Sequence, residues 1–338
     1  MSVLIDRGFL HVLLLATAVP AFAQQTTWKD SSPHRVELVA VDGGVQLEVL
    51  DWRGSGPALV LLAGLGDTAH VFDDFAQALI PRHRVVGVTR RGFGRSSPSP
   101  SGYGFARLAE DVARVIATLG LDRPLVIGHS FAGEEMHLLG ARHSAAISGL
   151  VYVDAAFNRA DDFDEDDEVE RTLPPPPAPG PADLASFVTL RAFLQRTQGA
   201  VGPDAHLRSR YVANDSGAIT GPWMPDPTTR QGYTSEMQAA RKRYEPERIR
   251  VPALAVYAVP KVVDDLMRPW YAADDPAVRE RVQTLYPLTR EQFFRHRKWF
   301  EGFAERGRVE ELAGPHYLPL THPRELVALI EAFAESLR

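Results

Sequence analysis

The stretch that decides the fold is LVIGHSFAG, residues 125–133. It starts with residues typical of a buried strand, and a helix signal follows directly after Ser130. A sharp strand-to-helix turn strains the backbone of its central residue, so the residues two before and two after it must be small. These residues are Gly128 and Ala132, and Gly133 follows. The stretch therefore predicts that Ser130 is a catalytic nucleophile, the alternative being a serine that only caps the helix.

Strand and helix signals alternate on both sides of this turn. Before it, a hairpin signal over Arg35–Val41 and Val45–Trp52 precedes a continuous apolar run, Ala58–Ala63. After it come the strand signals Ile147–Val153 and Ala253–Tyr257. Alternating strands and helices imply an α/β protein with a mostly parallel sheet and helices on both faces.

The alternation stops between residues 157 and 248. This segment holds the proline run Pro174–Pro177 and helical pieces such as Leu184–Thr197. We expect it to lie over the sheet as an inserted cap. The predicted organisation is therefore a core of residues 24–156 and 249–338 with a cap of residues 157–248.

Composition sets outer limits on the function. A chain of 338 residues with 45% hydrophobic residues is able to bury a large core. Its formal net charge of −6 gives no reason to expect nucleic acid or an anionic membrane surface as a partner. The chain has no cysteine, which excludes disulfides, thiol catalysis and cysteine metal sites. The sequence carries no signal for an oligomeric state.

The first 23 residues have the pattern of an export signal. Arg7 is followed by the apolar run Val12–Val19, a break at Pro20 and the small-x-small pattern Ala21-Phe22-Ala23. The apolar run is too short to span a bilayer. We therefore expect cleavage near Ala23 and an exported protein, periplasmic or secreted, with no stable membrane anchor. The alternative is an N-terminal helix that packs on the core.

A serine needs a base within hydrogen-bond reach to become a nucleophile. His316 is the preferred candidate because it lies in a loop between the last predicted strand and the last helix. Loops at the strand ends of an α/β sheet are where reactive groups collect. His322 competes with it, but the His-Pro sequence there opens the final helix and indicates a structural role.

Acyl transfer also needs two N–H donors for the developing oxyanion. The backbone N–H of Phe131, at the start of the helix after Ser130, is the first candidate. The second is expected in the turn Gly64-Leu65-Gly66, where glycine lets the chain approach a ligand closely. We assign it to the backbone N–H of Leu65.

These pieces, in this order, resemble the α/β-hydrolase superfamily over nearly all of the chain after residue 23. They are the glycine turn, an arginine-glycine loop, the serine turn, the strand ending in Asp154 and the histidine loop, at residues 64–66, 90–97, 130, 150–154 and 315–317. The resemblance implies an eight-stranded, mostly parallel sheet with a helical cap inserted after the sixth strand. It also implies hydrolysis through an acyl-enzyme that needs no metal ion and no organic cofactor. An aspartate nucleophile, as in dehalogenases and epoxide hydrolases of this family, is excluded by Ser130.

The resemblance leaves the triad acid open. Family members usually carry the acid a few residues past the seventh strand, where this chain has Lys261, and Asp264 and Asp265 come several residues later. Other members place it at the end of the sixth strand, where this chain has Asp154. We prefer Asp154, with Asp264 as the alternative and Asp265 after it. The carboxylate would orient His316 and stabilise its protonated form.

The predicted function is a serine hydrolase that cleaves a carboxylic ester, with a small-molecule acyl compound as its substrate. Cleavage of an amide or peptide bond is the second choice. A hydrolase-like protein that only binds its ligand is a further alternative, because the acid is not settled.

A dinucleotide-binding protein is the least favoured reading. Gly64-Leu65-Gly66-Asp67-Thr68-Ala69 fits the glycine pattern of such sites. That pattern needs an acidic residue roughly 20 positions further on, at the end of the next strand. Thr89-Arg90-Arg91 stands there instead. An NADP-dependent oxidoreductase would also leave the serine turn unexplained.

No metal site is predicted from the sequence. Glu134, Glu135, His137 and His143 share one predicted helix, but no two of the histidines are four residues apart with a glutamate between them. We expect these side chains to form a polar face of the helix.

Overall fold

The computed structural model describes residues 28–158, 164–242 and 247–338. The predicted export signal, residues 1–23, lies outside these ranges, so it stays a prediction. No helix in the described part of the chain is both long enough and apolar enough to cross a bilayer.

A sheet of eight strands forms the centre of the molecule. The described strands are β1 Arg35–Asp42, β2 Val45–Arg53, β3 Ala58–Leu62, β4 Arg84–Val88, β5 Leu125–His129, β6 Gly149–Val153, β7 Tyr211–Ala213, β8 Ile219–Pro222, β9 Ala253–Ala258 and β10 Gly307–Leu312. The large sheet has the order β1-β2-β4-β3-β5-β6-β9-β10. Only β2 runs against its neighbours, and the other pairs in the sheet are parallel. The predicted mostly parallel eight-stranded sheet is confirmed.

Strand residues alternate between two cores, one on each face of the sheet. In β3, Val60 and Leu62 belong to one core, whereas Leu59 and Leu61 belong to the other. A strand that buries both of its faces reads as an unbroken apolar run, because successive side chains point to opposite sides. This is why the central strands lack polar alternation.

Helices cover both faces. The described α-helices are α1 Asp73–Leu79, α2 Phe105–Thr118, α3 Ala132–Arg142, α4 Asp164–Arg171, α5 Phe187–Gln198, α6 Asp204–Arg210, α7 Pro227–Lys242, α8 Pro276–Phe303, α9 Leu318–Thr321 and α10 Pro323–Glu335. Residues of α2, α3 and α8 pack into the first core, and residues of α1 and α10 pack into the second. These two layers of helices hold the strands whose ends carry the predicted site residues.

The segment between β6 and β9 has a small core of its own. It contains α4 to α7 and the two-stranded sheet of β7 and β8, so it is not purely helical. Apolar side chains of α5, α6, β7 and β8 form this core, among them Phe187, Leu190, Phe193, Leu194, Leu207 and Ile219. This small core is separate from the two cores on the faces of the large sheet.

The expectation of a polar face on α3 is wrong. Glu134, Glu135 and His137 are only 3%, 2% and 1% exposed. Helix α3 lies between the sheet and other helices, and the His137 ring contacts Phe303 edge-on with 4.4 Å between ring centroids. A helix covered on all sides buries its polar residues too, and a short sequence window does not show which neighbours will cover it.

We expect His137 to make the fold sensitive to acid. Burial lowers the pKa of His137 to about 4 from its usual 6.5. Because the unfolded chain takes up this proton more readily than the folded chain, stability is full above about pH 6.5 and is lost as the pH falls toward 4. The loss between about pH 7 and pH 5 amounts to ~2 kcal/mol.

Urea unfolding at the two pH values measures this loss in the wild type and in His137→Gln. The variant keeps a polar side chain that does not titrate, so its free energy of unfolding should fall by ~2 kcal/mol less than that of the wild type. Equal losses in the two proteins would contradict the assignment.

Candidate active site

Ser130 sits at a strained turn between β5 and α3. Its φ angle is +53°, a left-handed conformation that residues other than glycine rarely adopt. Its backbone N–H donates to the carbonyl of Val153 on the neighbouring strand, at 3.1 Å. This bond holds the turn against the end of β6.

The residues around the turn have no space for larger side chains. A Cβ atom on Gly128 would come within 2.1 Å of Met136 Sδ, and one on Gly133 would come within 1.9 Å of the Ala155 carbonyl oxygen. Ala132 is buried completely. The small residues that the sequence pattern requires are thus explained by direct contacts.

The glycine turn after β3 lies directly against Ser130. A Cβ on Gly64 would be 3.4 Å from Ser130 Cβ and 3.1 Å from Nδ1 of His129. Phe131 follows Ser130 and is the residue before the first turn of α3. The two segments that carry the predicted oxyanion donors, the N–H groups of Leu65 and Phe131, therefore meet at this contact.

Arg90 forms hydrogen bonds to the backbone of the glycine turn. Its guanidinium donates to the carbonyl oxygens of Gly64 at 3.1 Å and Ala63 at 2.6 Å. It also forms a buried ion pair with Glu135, with Nη2 2.5 Å from Oε1. Sequence reasoning missed this role, although Arg90 opens the arginine-glycine loop that carries the family resemblance.

Breaking the Arg90–Glu135 ion pair should lower both stability and activity, and the two effects should be separable. Arg90→Met leaves the Glu135 carboxylate buried without its partner, so the free energy of unfolding should fall by about 3–5 kcal/mol. The double variant Arg90→Met/Glu135→Leu should recover most of this loss. It should not recover turnover, because the carbonyls of Ala63 and Gly64 still lack their donor and the turn is no longer fixed.

The buried pair Arg91–Asp111 offers a matched control. Its guanidinium donates to the carboxylate at 2.7 Å, and both side chains are under 5% exposed. The double variant Arg91→Met/Asp111→Leu should therefore keep its kcat for the best substrate. Urea unfolding and steady-state kinetics on the two double variants test the difference, and equal kcat values would contradict a positioning role for Arg90.

His316 and Asp154 form a buried pair. Nδ1 of His316 is 2.6 Å from Oδ2 of Asp154, and the two side chains are 6% and 7% exposed. The other carboxylate oxygen of Asp154 accepts the backbone N–H of Ala258 at 2.9 Å. The backbone N–H of Asp154 donates to the carbonyl oxygen of Val256 at 2.7 Å. The carboxylate is thus fixed by β9 on one side and faces His316 on the other.

The alternative acids lie elsewhere. Asp264 is exposed and faces Arg279 at 3.4 Å. Asp265 accepts the backbone N–H groups of Lys261 and Val262, at 2.7 and 3.0 Å. Of the three candidates that the sequence left open, the structure brings Asp154 to His316.

His129 links the serine turn to the histidine loop. Its Nε2 donates to the carbonyl of His316 at 3.0 Å, and the two rings lie 4.6 Å apart between centroids. Because His129 directly precedes Ser130, this bond ties the two predicted catalytic segments together. The sequence pattern treats its position as variable, so sequence reasoning assigned it no role.

Asp67 joins three segments around the site. Its carboxylate accepts the Tyr317 hydroxyl at 2.9 Å and Arg210 Nη1 at 2.7 Å. Burial raises the pKa of Asp67, but Arg210, His206, His129 and the Tyr317 hydroxyl together outweigh burial, so the pKa is lowered. The glycine turn, the histidine loop and helix α6 of the cap are therefore held by one ionised carboxylate.

The cap is anchored to the core at a second point. The Glu236 carboxylate, on helix α7, accepts the backbone N–H groups of Gly102, Tyr103 and Gly104 just before α2. Acidic groups are favourable at a helix N-terminus, which carries partial positive charge. Next to this anchor, Tyr233 of the cap packs against Phe131 with ring centroids 5.9 Å apart. An aromatic surface of the cap therefore lies beside the serine turn.

The sheet order, the strained serine turn and the buried His–Asp pair define a class of protein. A family model described as the alpha/beta hydrolase fold matches residues 57–297, well over half of the chain. The chain belongs to the α/β-hydrolase family.

Known members of the family are similar to parts of the chain. A fluoroacetate dehalogenase from a Burkholderia species is 33% identical over 106 residues, which are 30% of this chain and 35% of that protein. An sn-1-specific diacylglycerol lipase from Mus musculus is 32% identical over 108 residues, 31% of this chain and 35% of the lipase. The chain thus matches only about a third of the length of these relatives.

Solved structures share the fold over most of the chain. The crystal structure of E-2-(acetamidomethylene)succinate hydrolase superposes with a TM-score of 0.58 and 19% sequence identity, covering 89% of this chain and 99% of that one. At this identity the likeness concerns the fold alone.

Proposed function

We propose that the protein is a serine hydrolase that cleaves a carboxylic ester through an acyl-enzyme on Ser130. The observation that carries the proposal is the buried His316–Asp154 pair at 2.6 Å, on a loop bonded to the residue before Ser130. A carboxylate in this position fixes the imidazole tautomer, so that Nε2 is free to accept a proton from a serine hydroxyl.

The reaction has two steps. In the first, Ser130 Oγ attacks the ester carbonyl while His316 takes its proton, and the N–H groups of Leu65 and Phe131 hold the oxyanion. His316 then gives the proton to the alcohol oxygen. The alcohol departs, and the acyl group remains bound to Ser130. In the second, water attacks this acyl group with His316 as the base, and the carboxylic acid is released with Ser130 restored.

The surroundings of Ser130 favour an ester with an apolar part. Phe131, Phe93, Tyr233 and Trp223 form a chain of ring contacts between the core and the cap, with centroids about 6 Å apart. The similarity to a lipase supports ester cleavage. The similarity to a dehalogenase carries less weight, because a serine stands at the nucleophile position here. Amide or peptide cleavage by the same mechanism is the second candidate.

Labelling with a fluorophosphonate tests the proposal. The purified wild-type chain should form a stable adduct that mass spectrometry places on the peptide containing Ser130, and heat-unfolded protein should not react. A panel of p-nitrophenyl and aliphatic esters, run beside acyl amides, then identifies the bond cleaved. A folded protein that neither reacts with the probe nor turns over any ester would sink the proposal and favour a protein that only binds its ligand.

A further inference from the structure

Four side chains with metal-binding groups meet away from the candidate active site. They are Asp30 and His34, which lie before β1, His70 in the short 3-10 helix before α1, and Asp73 at the start of α1. One ligand atom of each lies within 4.8 Å of the ligand atoms of the other three. The imidazole of His34 and the carboxylate of Asp73 are each only 2% exposed, so most of this cluster is shielded from water.

Three contacts within the cluster have nearly the spacing that a tetrahedral metal ion imposes. Zn²⁺ bound at 2.0–2.2 Å by nitrogen and oxygen ligands keeps neighbouring ligand atoms about 3.3 Å apart. Nδ1 of His70 lies 3.2 Å from Asp73 Oδ2 and 3.5 Å from Asp30 Oδ2. Nε2 of His34 lies 3.4 Å from Asp30 Oδ2. The contact between His34 Nδ1 and Asp73 Oδ1 is shorter, at 2.7 Å, which is the length of a charge-assisted hydrogen bond. These two groups must move apart when both bind the ion.

The groups around the cluster hold the ligands in place. Asp73 Oδ1 accepts the indole N–H of Trp52 at 2.9 Å. On the other side of His70, the buried Glu48 carboxylate lies 3.8 Å from Nε2. Metal-bound histidines commonly have a carboxylate at their second ring nitrogen, where it fixes the tautomer and the ring orientation.

The ligand types indicate which ion fits. Two imidazoles with two carboxylates form a set that Zn²⁺ and other divalent transition metals accept, whereas Ca²⁺ and Mg²⁺ prefer oxygen ligands alone. The three carboxylates of Asp30, Glu48 and Asp73 face only two imidazoles. Among the described residues, every ion pair of these carboxylates is made with His34 or His70.

We propose that Asp30, His34, His70 and Asp73 bind one Zn²⁺ ion that fastens the segment before β1 to the core. The role is structural, since the ion joins residues 30–34 to residues 70–73 and takes no part in the acyl transfer. The second pair follows closely on the Gly64-Leu65-Gly66 turn, so the ion also fixes the start of the helix to which that turn leads.

Metal titration of the tag-free, chelator-treated full chain tests the proposal without reference to activity. Calorimetry with ZnCl₂ should give one tight site per chain, and Co²⁺ should give the visible absorption of a tetrahedral nitrogen and oxygen site. Zn²⁺ should also raise the thermal midpoint and slow tryptic cleavage after Lys29.

Two variants locate the site. Asp30→Asn removes a partly exposed ligand and His34→Gln a buried one, and each should weaken Zn²⁺ binding at least ~10-fold. Asp264→Asn and His322→Gln are matched controls outside the cluster and should bind as the wild type does. Asp30→Asn keeps the proposal testable even if His34→Gln fails to fold. Absence of tight binding by the wild type, or unchanged binding by Asp30→Asn, would overturn the proposal and leave a hydrogen-bonded network.

Discussion

Replacing Ser130 with alanine should reduce kcat/KM for the best ester by roughly 10⁵-fold or more. The nucleophile carries the covalent step, and without it only substrate binding and the oxyanion donors remain. KM should change little, because the hydroxyl contributes to the transition state more than to binding. Steady-state kinetics with the ester selected from the panel measures both parameters, and the fluorophosphonate adduct should disappear.

Ser144→Ala is the matched control for this variant. Ser144 lies in a short 3-10 helix after α3, and its loss should leave turnover within about two-fold, as for most surface changes. Ser130→Ala should also unfold at nearly the same urea concentration as the wild type. If Ser130→Ala retained substantial turnover with intact folding, the nucleophile would have to be another residue.

Asp154→Asn should have the second-largest effect, a fall in kcat of about 10⁴-fold. An asparagine offers His316 Nδ1 no charge and presents either an amide N–H or a neutral oxygen. The imidazole is then free to take the tautomer whose Nε2 already carries a proton and so cannot accept one. Labelling by the fluorophosphonate should slow in parallel, because it depends on the same base.

The alternative acid is the control for this experiment. Asp264→Asn should keep its kcat within about two-fold, since that side chain is exposed. Asparagine at position 154 can still accept the N–H of Ala258, so the free energy of unfolding should change less than it would in Asp154→Ala. An inactive Asp264→Asn beside an active Asp154→Asn would reverse the assignment of the acid.

Local patterns were sufficient for the fold and for the serine turn. The apolar runs, the glycines and the alternation with helices are set by the period of each element, which the sequence shows directly. Gly128 and Gly133 report contacts that any strand-to-helix turn of this kind must make. The residues that form each of these features lie close together in the sequence, so the features could be predicted from it.

Features that depend on contacts between residues far apart in the sequence could not be predicted. Arg90 and Glu135 are 45 residues apart, and nothing in either segment indicates its partner. The cluster of Asp30, His34, His70 and Asp73 consists of two short pairs, one before β1 and one after β3. Each pair alone is unremarkable as a metal motif, and only the fold brings the two together.

Because Asp154 directly follows β6, the proposed acid is separate from a neighbouring loop. The segment 259–268 contributes Pro260, Leu266 and Arg268 to a cavity of about 50 Å³ against Asp154 and His316, yet it holds neither of them in place. Natural variation and laboratory evolution can therefore change the length or sequence of this loop, and with it the substrate selectivity. The proposed proton-transfer groups would stay unchanged, because Asp154, the proposed acid, directly follows an inner strand of the sheet.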